Sequence, residues 1–447
     1  MEKFSTYGLD VPELLLPKDG TDLEKWAVIA CDQYTQDREY WKRCEDFAGD
    51  NPSTLKLILP EVYLNDSDKS ERISRIHNTM KEYIEGDVFA APEKCFAYIE
   101  RKTAYGRIRK GLIVALDLET YEWKPFSKAL VRATEATIVE RIPPRMEIRR
   151  GAPVESPHIM LLVNDPDKTL VEAAGAQVRG KKPLYATKLM EGSGELTAWA
   201  VKEEDELADV EKALAALKKA NTQADGSSFL FAVGDGNHSL ATAKAVWDEF
   251  KEKHPGVTNH NARYALVEIV NIYDDGLTFE PIHRILFNVD TSALSDTLVK
   301  ELGGSVNTCK DADELEKKVA ASRASFGIVS NVDGKPVYQL LETPITELAV
   351  SRLQPVLDAF LKSAPTQHVC VGDVCEMKKP EIDYIHGSEE VFRLGAKPAA
   401  TGLLLPPIAK DSFFTTIGTG GPLPRKSFSM GEASEKRFYF ECRKLFS

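Results

Sequence analysis

The sequence predicts an α+β or α/β protein with mixed sheets packed by helices. Three observations carry this. Short apolar runs with strand texture alternate with amphipathic helical repeats along all 447 residues. Residues 263–272 (RYALVEIVNI) form a continuous apolar run, the pattern of a strand covered on both faces. Hydrophobic residues make up 43% of the chain, enough for a sizeable core.

Residues 26–30 (WAVIA) read as a buried strand ended by Cys31, Asp32 and Gln33, with a helix over 37–47. Residues 55–59 (LKLIL) read as another short strand. Ile73, Ile76, Met80, Tyr83 and Ile84 recur at helical spacing and predict a helix over 70–84, stopped at Gly86. Residues 95–101 and 109–118 flank Tyr105-Gly106 as a hairpin. Residues 129–140 fit strand or helix, and Pro143-Pro144 should break what precedes them. Residues 158–163 (HIMLLV) and 228–233 read as strands, and 206–220 as a helix. Farther on, 311–322 reads as a helix and 326–341 as a hairpin across Val332-Asp333-Gly334. A helix over 345–361 should be kinked by Pro355. From residue 415 the tail is rich in Gly and Pro, then charged and aromatic after Pro424. No repeat or linker marks a border; the expected division is into 1–225 and 226–447.

A net charge of −12 repels nucleic-acid backbones, so neither nucleic acid nor membrane is the expected partner. No apolar run approaches the roughly 20 residues that span a bilayer. Residues 1–10 lack the pattern of a secretory signal, and a cytoplasmic location is expected. The seven cysteines are odd in number and contain no C-x-x-C, which argues against a disulfide frame or a zinc knuckle. Cys370 and Cys375, the one close pair, are read as ordinary thiols or as a metal or redox site. H-E-x-x-H, G-x-S-x-G and a strand-following G-x-G-x-x-G are all missing, which lowers zinc-protease, α/β-hydrolase and dinucleotide readings.

Five clusters are candidates for chemistry. In residues 231–250 (FAVGDGNHSLATAKAVWDEF) a strand turns through Gly234, Asp235 and Gly236 into a helix headed by Asn237, His238 and Ser239. Such a corner aims backbone N–H groups and the positive helix end at an anion. Asp235 suits a metal or a substrate hydroxyl, and His238 suits phosphate contact or proton transfer. The same residues also suit a simple Asx-turn and N-cap. The second cluster is His283-Arg284 in FEPIHR, where the arginine fits a phosphate clamp or a salt bridge with Glu280. The third is Arg132, Glu135 and Arg141 with Arg145, fitting a ligand pocket or a solvated face. The fourth is the basic loop at Arg425-Lys426, which misses the P-loop spelling. The fifth is Asp32, a strand-end carboxylate fit for a general base or for a turn.

Taken in order, ALVRATEATIVERIPPR (129–145), SPHIMLLVNDP (156–166), VGDGNHSLATAK (233–244), ARYALVEIVNI (262–272), FEPIHRILF (279–287) and LPRKSFSMGEASEKRFYFECRK (423–444) resemble an uncharacterised family, a domain of unknown function numbered ten-fifteen. Other branches of that family spell the central motif A-D-G-H-H-R; here His238 takes the place of the second His and Ser239 that of the Arg. The D-G-H-x-R spelling is similar to the phosphate-binding turn of the ParB/sulfiredoxin superfamily, which includes free-serine kinases. The resemblance implies a ParB/sulfiredoxin-like core with additional α+β elements. It implies ATP or ADP with its phosphates over Gly234, Gly236, Asn237 and Ser239, and Mg²⁺ at Asp235. Asp32 would accept the hydroxyl proton and His238 would orient a phosphate oxygen. Arg284, Lys426 or Arg132 would replace the missing arginine's charge. The substrate would be a small hydroxyl compound such as free L-serine, near Arg132, Glu135, Arg141, His283 and Arg425. A ParB-like nucleotide-binding regulator without kinase activity and a phosphoester hydrolase are the alternatives. The oligomeric state is open.

Overall fold

In the computed structural model, which describes residues 3–223, 225–371 and 374–446, the apolar run near 264 becomes a central strand. Ten strands join in one mixed sheet. They are β1 (Leu9–Asp10), β2 (Phe96–Thr103), β3 (Ile108–Asp117), β4 (Tyr121–Glu122), β5 (Val131–Ala133), β6 (Met160–Val163), β7 (Tyr185–Lys188), β8 (Gly194–Val201), β9 (Phe231–Asp235) and β10 (Tyr264–Asn271). The order across the sheet is β7-β8-β2-β3-β10-β6-β9-β5-β4, with β1 pairing the end of β3. β10 lies antiparallel to β3 and parallel to β6, and every residue from Ala265 to Asn271 is buried. This is why its sequence shows no alternation.

Four of the helices are α1 (Lys69–Glu85), α2 (Ile142–Arg149), α3 (Glu204–Ala220) and α4 (Asn237–Lys253), and α1, α2 and α4 border the site described below. α3 is opened by a reciprocal capping box between Glu203 and Glu206. α2 starts where the sequence suggested a break. Pro143 and Pro144 occupy its first turn, where a missing N–H costs nothing, so they begin the helix rather than end one. In residues 55–59, Leu55, Leu57, Ile58 and Leu59 are buried, but the run joins no strand. Ser53 caps a 3₁₀ turn at Thr54–Leu57 by accepting the Leu55 amide, and Pro52 and Pro60 bracket the run. The strand expected there is thus replaced by a turn with the same apolar content.

By contact the chain divides into two units: one runs to Leu277 and takes back the chain from Gly431, and the other is Thr278–Met430. Position 225, the border expected from sequence, falls inside the first unit, because β9 is hydrogen-bonded between β6 and β5. The second unit holds a six-stranded antiparallel sheet of β11 (His283–Phe287), β12 (Ser305–Cys309), β13 (Phe326–Val332), β14 (Lys335–Glu342), β15 (Glu381–Ile385) and β16 (Ala400–Leu404), ordered β12-β14-β13-β16-β11-β15. Leu286, Phe326 and Leu341 pack with Leu353 and Leu357 of α5 (Ala349–Ser363), while Ile285, Val329 and Leu340 pack with Leu315 and Val391. α5 continues through Pro355. A helix at Lys410–Gly420, which the Gly-rich tail did not suggest, buries Phe413, Phe414 and Ile417. The side chains of Cys370 and Cys375 lie outside the described residues. Among the described residues no helix is long and apolar enough to cross a membrane.

Candidate active site

The corner at residues 234–239 sits where β9 ends. Its antiparallel pairing with β6 shifts register beside Met160 and skips Gly234, the signature of a bulge that re-aims the strand end. Gly236 has φ +80°, and a Cβ there would stand 3.1 Å from the Ile159 Cα, so both the turn and the close approach require glycine. α4 starts at Asn237 with no side-chain cap and no acidic residue in its first turn. Its positive end is therefore not neutralised by its own sequence. The Gly236 amide donates to Asp235 Oδ1 at 3.0 Å.

Long-range pairing brings the other groups to this corner. The strand Val28–Ile29 pairs with Phe438–Tyr439, which sets Asp32 and Tyr439 near one another. His158, just before β6, lies among them and is buried. Its Nε2 is 3.3 Å from Asp32 Oδ2 and 3.4 Å from Ser239 Oγ. Its Nδ1 is 2.6 Å from the Tyr439 hydroxyl, which also accepts the Cys31 amide at 3.2 Å. Gln33 donates to Asp32 Oδ1 at 3.0 Å. Lys436 reaches Asp235 at 3.4 Å with its side chain only 11% exposed.

These contacts set the charges. Burial pushes the Asp32 carboxyl upward, but His158, Gln33 and Lys436 outweigh it and hold it well below the usual carboxylate range. Burial pulls His158 down, yet Asp32, Asp235 and Glu61 together raise it above the ordinary histidine value. Burial, with Asp32 and Glu61 nearby, pushes the Cys31 thiol far up, so it stays protonated and unreactive.

The structure brings Asp32, Asp235 and Ser239 together through His158 and Lys436. Asn237 is tied to the loop after β5: its Oδ1 accepts the Thr134 amide and its Nδ2 donates to Thr134 Oγ1, each at 3.3 Å. His238 Nε2 accepts the Ile138 amide at 3.3 Å, and half-buried Glu135 lies in the same loop. Arg132 points elsewhere. Its guanidinium lies over Phe229 and donates to the Ala129 carbonyl, at the start of β5 rather than the end that carries Thr134. Arg141 is exposed. The remaining candidates belong to the second unit. Arg284 is buried, donating to Gln354 Oε1 at 2.8 Å and to the Ile282 carbonyl. His283 Nδ1 accepts the Leu405 amide at 3.0 Å. Arg425 and Lys426 are exposed on the turn before Phe428, with Lys426 at φ +59°.

Sequence reasoning missed His158, Lys436 and Tyr439. His158 looked like the first residue of an apolar strand, and Lys436 and Tyr439 looked like a charged, aromatic tail. The available signal was their place inside SPHIMLLV and EASEKRFYF, two of the stretches that carry the family resemblance. Arg437 holds this segment in place with bonds to Glu268 at 3.1 Å, Glu441 at 2.6 Å and the Pro157 carbonyl at 2.6 Å.

These features define a mixed α+β protein in which an uncapped helix start adjoins a buried carboxylate–imidazole pair. The family described as proteins of unknown function, DUF1015, matches residues 15–360, and the chain belongs to it. A comparison with curated proteins finds no match. Among solved structures, a point mutant of free serine kinase in complex with AMP is similar at 12% identity, covering 75% of this chain and 92% of its own, with a TM-score of 0.38. A conserved hypothetical protein from Pyrococcus furiosus is similar at 11% identity, covering 75% and 94%, with a TM-score of 0.34. SbnI from Staphylococcus aureus, truncated at its C-terminus, is similar at 9% identity, covering 73% and 85%, with a TM-score of 0.34. Likeness at this level assigns no activity.

Proposed function

We propose that this chain is a phosphotransferase that moves a nucleotide phosphoryl group to the hydroxyl of a small molecule. One observation carries the reading: the Asp32–His158 pair stands beside Ser239 at the start of an uncapped helix. Phosphoryl transfer needs positioning and charge neutralisation more than covalent chemistry. In this reading ATP sets its phosphates over Gly234, Gly236 and the amides of residues 237–239. Lys436 supplies the charge that the motif's missing arginine would have carried. Asn237 and His238 hold the corner against the loop after β5. Asp32 accepts the hydroxyl hydrogen bond and then the proton. Its low basicity suits a transition state in which that proton leaves late.

Mg²⁺ keeps most of its waters and rides on phosphates, so one or two carboxylates suffice for it. Asp235 fits that role once Lys436 turns to the phosphates. Among the described residues no cluster of three or more His, Cys, Asp or Glu side chains could hold a metal ion without such help. The hydrogen bonds of Arg284 and His283 give them a structural role in the second unit.

The test is nucleotide binding by calorimetry, followed by incubation with ATP, Mg²⁺ and a panel of small alcohols that includes L-serine. The expected result is binding of ATP and ADP and a phosphomonoester product that the Asp32→Asn variant fails to make. Binding without any product turns the reading to a nucleotide-sensing regulator. Phosphate release from phosphoserine without nucleotide turns it to a hydrolase.

A further inference from the structure

Beside the Asp32–His158 pair lies a cavity of about 140 Å³, lined by His158, Ser239 and Tyr439 at one end. Its walls are apolar: Leu57, Leu59, Met80, Ile148, Ala152 and Leu445. None of these takes part in the proposed phosphate corner. They come from the 3₁₀ turn after Ser53, from α1 and α2, and from the chain on either side of the Val154–Glu155 strand pair.

The cavity also touches cations, and each is already matched. Arg145 donates from Nε to Glu61 at 2.8 Å. Arg149 donates to Glu155 at 2.6 Å, and Glu155 is further held by Arg443 at 2.7 Å. His158 faces Asp32. A ligand carboxylate entering here would find no unmatched cation and would have to take Arg145 from half-buried Glu61 or Arg149 from buried Glu155, which would keep only Arg443. Breaking such pairs is strongly unfavourable. The other polar groups are engaged as well: Ser156 Oγ donates to the Glu441 carbonyl and Thr242 Oγ1 to the His238 carbonyl. Among the described lining residues, the His158–Ser239 end, where the two meet at a long 3.4 Å, offers polar atoms to an occupant, and His158 in turn contacts Asp32.

We infer that the cavity takes an uncharged alcohol with a compact apolar body, its single hydroxyl at His158 and Ser239 next to Asp32, and that it excludes free amino acids. A cavity of about 150 Å³ with an apolar lining holds a ring the size of benzene, which sets the scale of the body. As a reaction this rests on the phosphoryl-transfer reading. The alcohol oxygen bonds to the γ-phosphorus, the bond from that phosphorus to the bridging oxygen breaks, and ADP leaves with the electron pair. The hydroxyl proton passes to the Asp32 carboxylate. The product is an uncharged body carrying a phosphomonoester.

The test separates the ligand from the reaction. Binding of 3-methylbutan-1-ol, benzyl alcohol and L-serine to the full chain is measured by ligand-observed NMR without nucleotide, and phosphomonoester formation is measured with ATP and Mg²⁺. The expected result is that an uncharged alcohol binds at least tenfold more tightly than L-serine. The Ala152→Leu variant, which fills the cavity, should weaken that binding at least tenfold with thermal stability kept. The Met80→Ala variant should shift preference toward the bulkier benzyl alcohol, which keeps the size argument open to test if Ala152→Leu does not fold. Equal or tighter binding of L-serine overturns the inference, and so does failure of every alcohol to bind. Alcohol binding without phosphomonoester supports this inference and overturns the phosphoryl-transfer reading.

Discussion

Two buried histidines behave in opposite ways. His158 and His283 are 4% and 7% exposed, so desolvation opposes a charge on both. His158 faces Asp32, with Asp235 and Glu61 nearby, and its pKa is raised. Near His283 lie Arg284 and His386 instead of carboxylates, and its pKa is pushed down to about 4, chiefly by burial and then by the Arg284 charge. Its Nδ1 accepts the Leu405 amide, as a neutral ring can. Burial alone therefore does not mark a functional histidine; the sign of the charge facing it does. His158 is poised to hold a proton next to a hydroxyl, whereas His283 holds a strand end.

The sharpest way to break this contrast is to remove the charge that faces His158. Asp32→Asn keeps the shape and the Gln33 contact but discharges the pair. Steady-state phosphoryl transfer should fall by about 10²–10⁴-fold, the range for losing a positioned proton acceptor. Nucleotide binding by calorimetry should change little. The matching variant in the second unit, His283→Gln, should leave the rate within about twofold. Equal losses in both would erase the distinction.

Acid titration sharpens the contrast on the stability side. For His158 the folded pKa is raised, so its contribution is complete below the unfolded value, about 6.5, and is lost as pH rises through the folded value. For Asp32 the folded pKa is lowered, so its contribution is complete above about 3.9 and is lost as pH falls through the folded value. The pair is thus at full strength between about pH 4 and 6.5. His283 has the opposite slope from His158. Its contribution is complete above about 6.5 and is lost as pH falls toward its folded value of about 4. At 1.36 kcal/mol per unit this loss amounts to about 3 kcal/mol. Urea unfolding between pH 4 and 9 should therefore show His158→Gln least destabilising at high pH. The His283→Gln variant should flatten the acid loss. Parallel curves for the two variants would refute the assignment.

The same contrast shows how much was legible in the chain. The corner from Gly234 to Ser239 could be read locally, because a strand, a turn and a helix start are consecutive in sequence. Asp32 could be read as a strand end for the same reason. His158, Lys436 and Tyr439 could not, since their meaning depends on Phe438–Tyr439 pairing back to Val28–Ile29 across almost the whole chain. The mixed α+β class followed from texture, and β10 from its unbroken apolar run. Residues 55–59 show where texture misleads: an apolar run is buried either way, and hydrogen-bond partners far in sequence decide whether it is a strand. Arg284 was equally hard to read: beside His283 it fitted a phosphate clamp or a salt bridge with Glu280, and only the fold shows its Nε donating to Gln354 on α5.

The smallest expected effects concern the glycines, and they test whether the first unit's corner is special or merely a turn. Gly236 and Gly303 both have positive φ, +80° and +71°. Each precedes or follows a helix: Gly236 opens α4, and Gly303 closes the helix Thr291–Leu302. An alanine at either site carries the left-handed penalty, about 1–2 kcal/mol. At Gly303 the nearest atom to an added Cβ is Pro344 Cγ at 3.7 Å, an ordinary contact. At Gly236 it is the Ile159 backbone at 3.1 Å, which must move and would carry neighbouring His158 with it. Both variants should lose about 1–2 kcal/mol in urea unfolding, with Gly236→Ala the worse. Only Gly236→Ala should also weaken nucleotide binding, by at least about tenfold, since about 1.4 kcal/mol lost at the phosphates has that effect. If Gly236→Ala lost stability alone and bound nucleotide as tightly as Gly303→Ala, the corner would be a cap of the fold, and the anion would have to sit elsewhere.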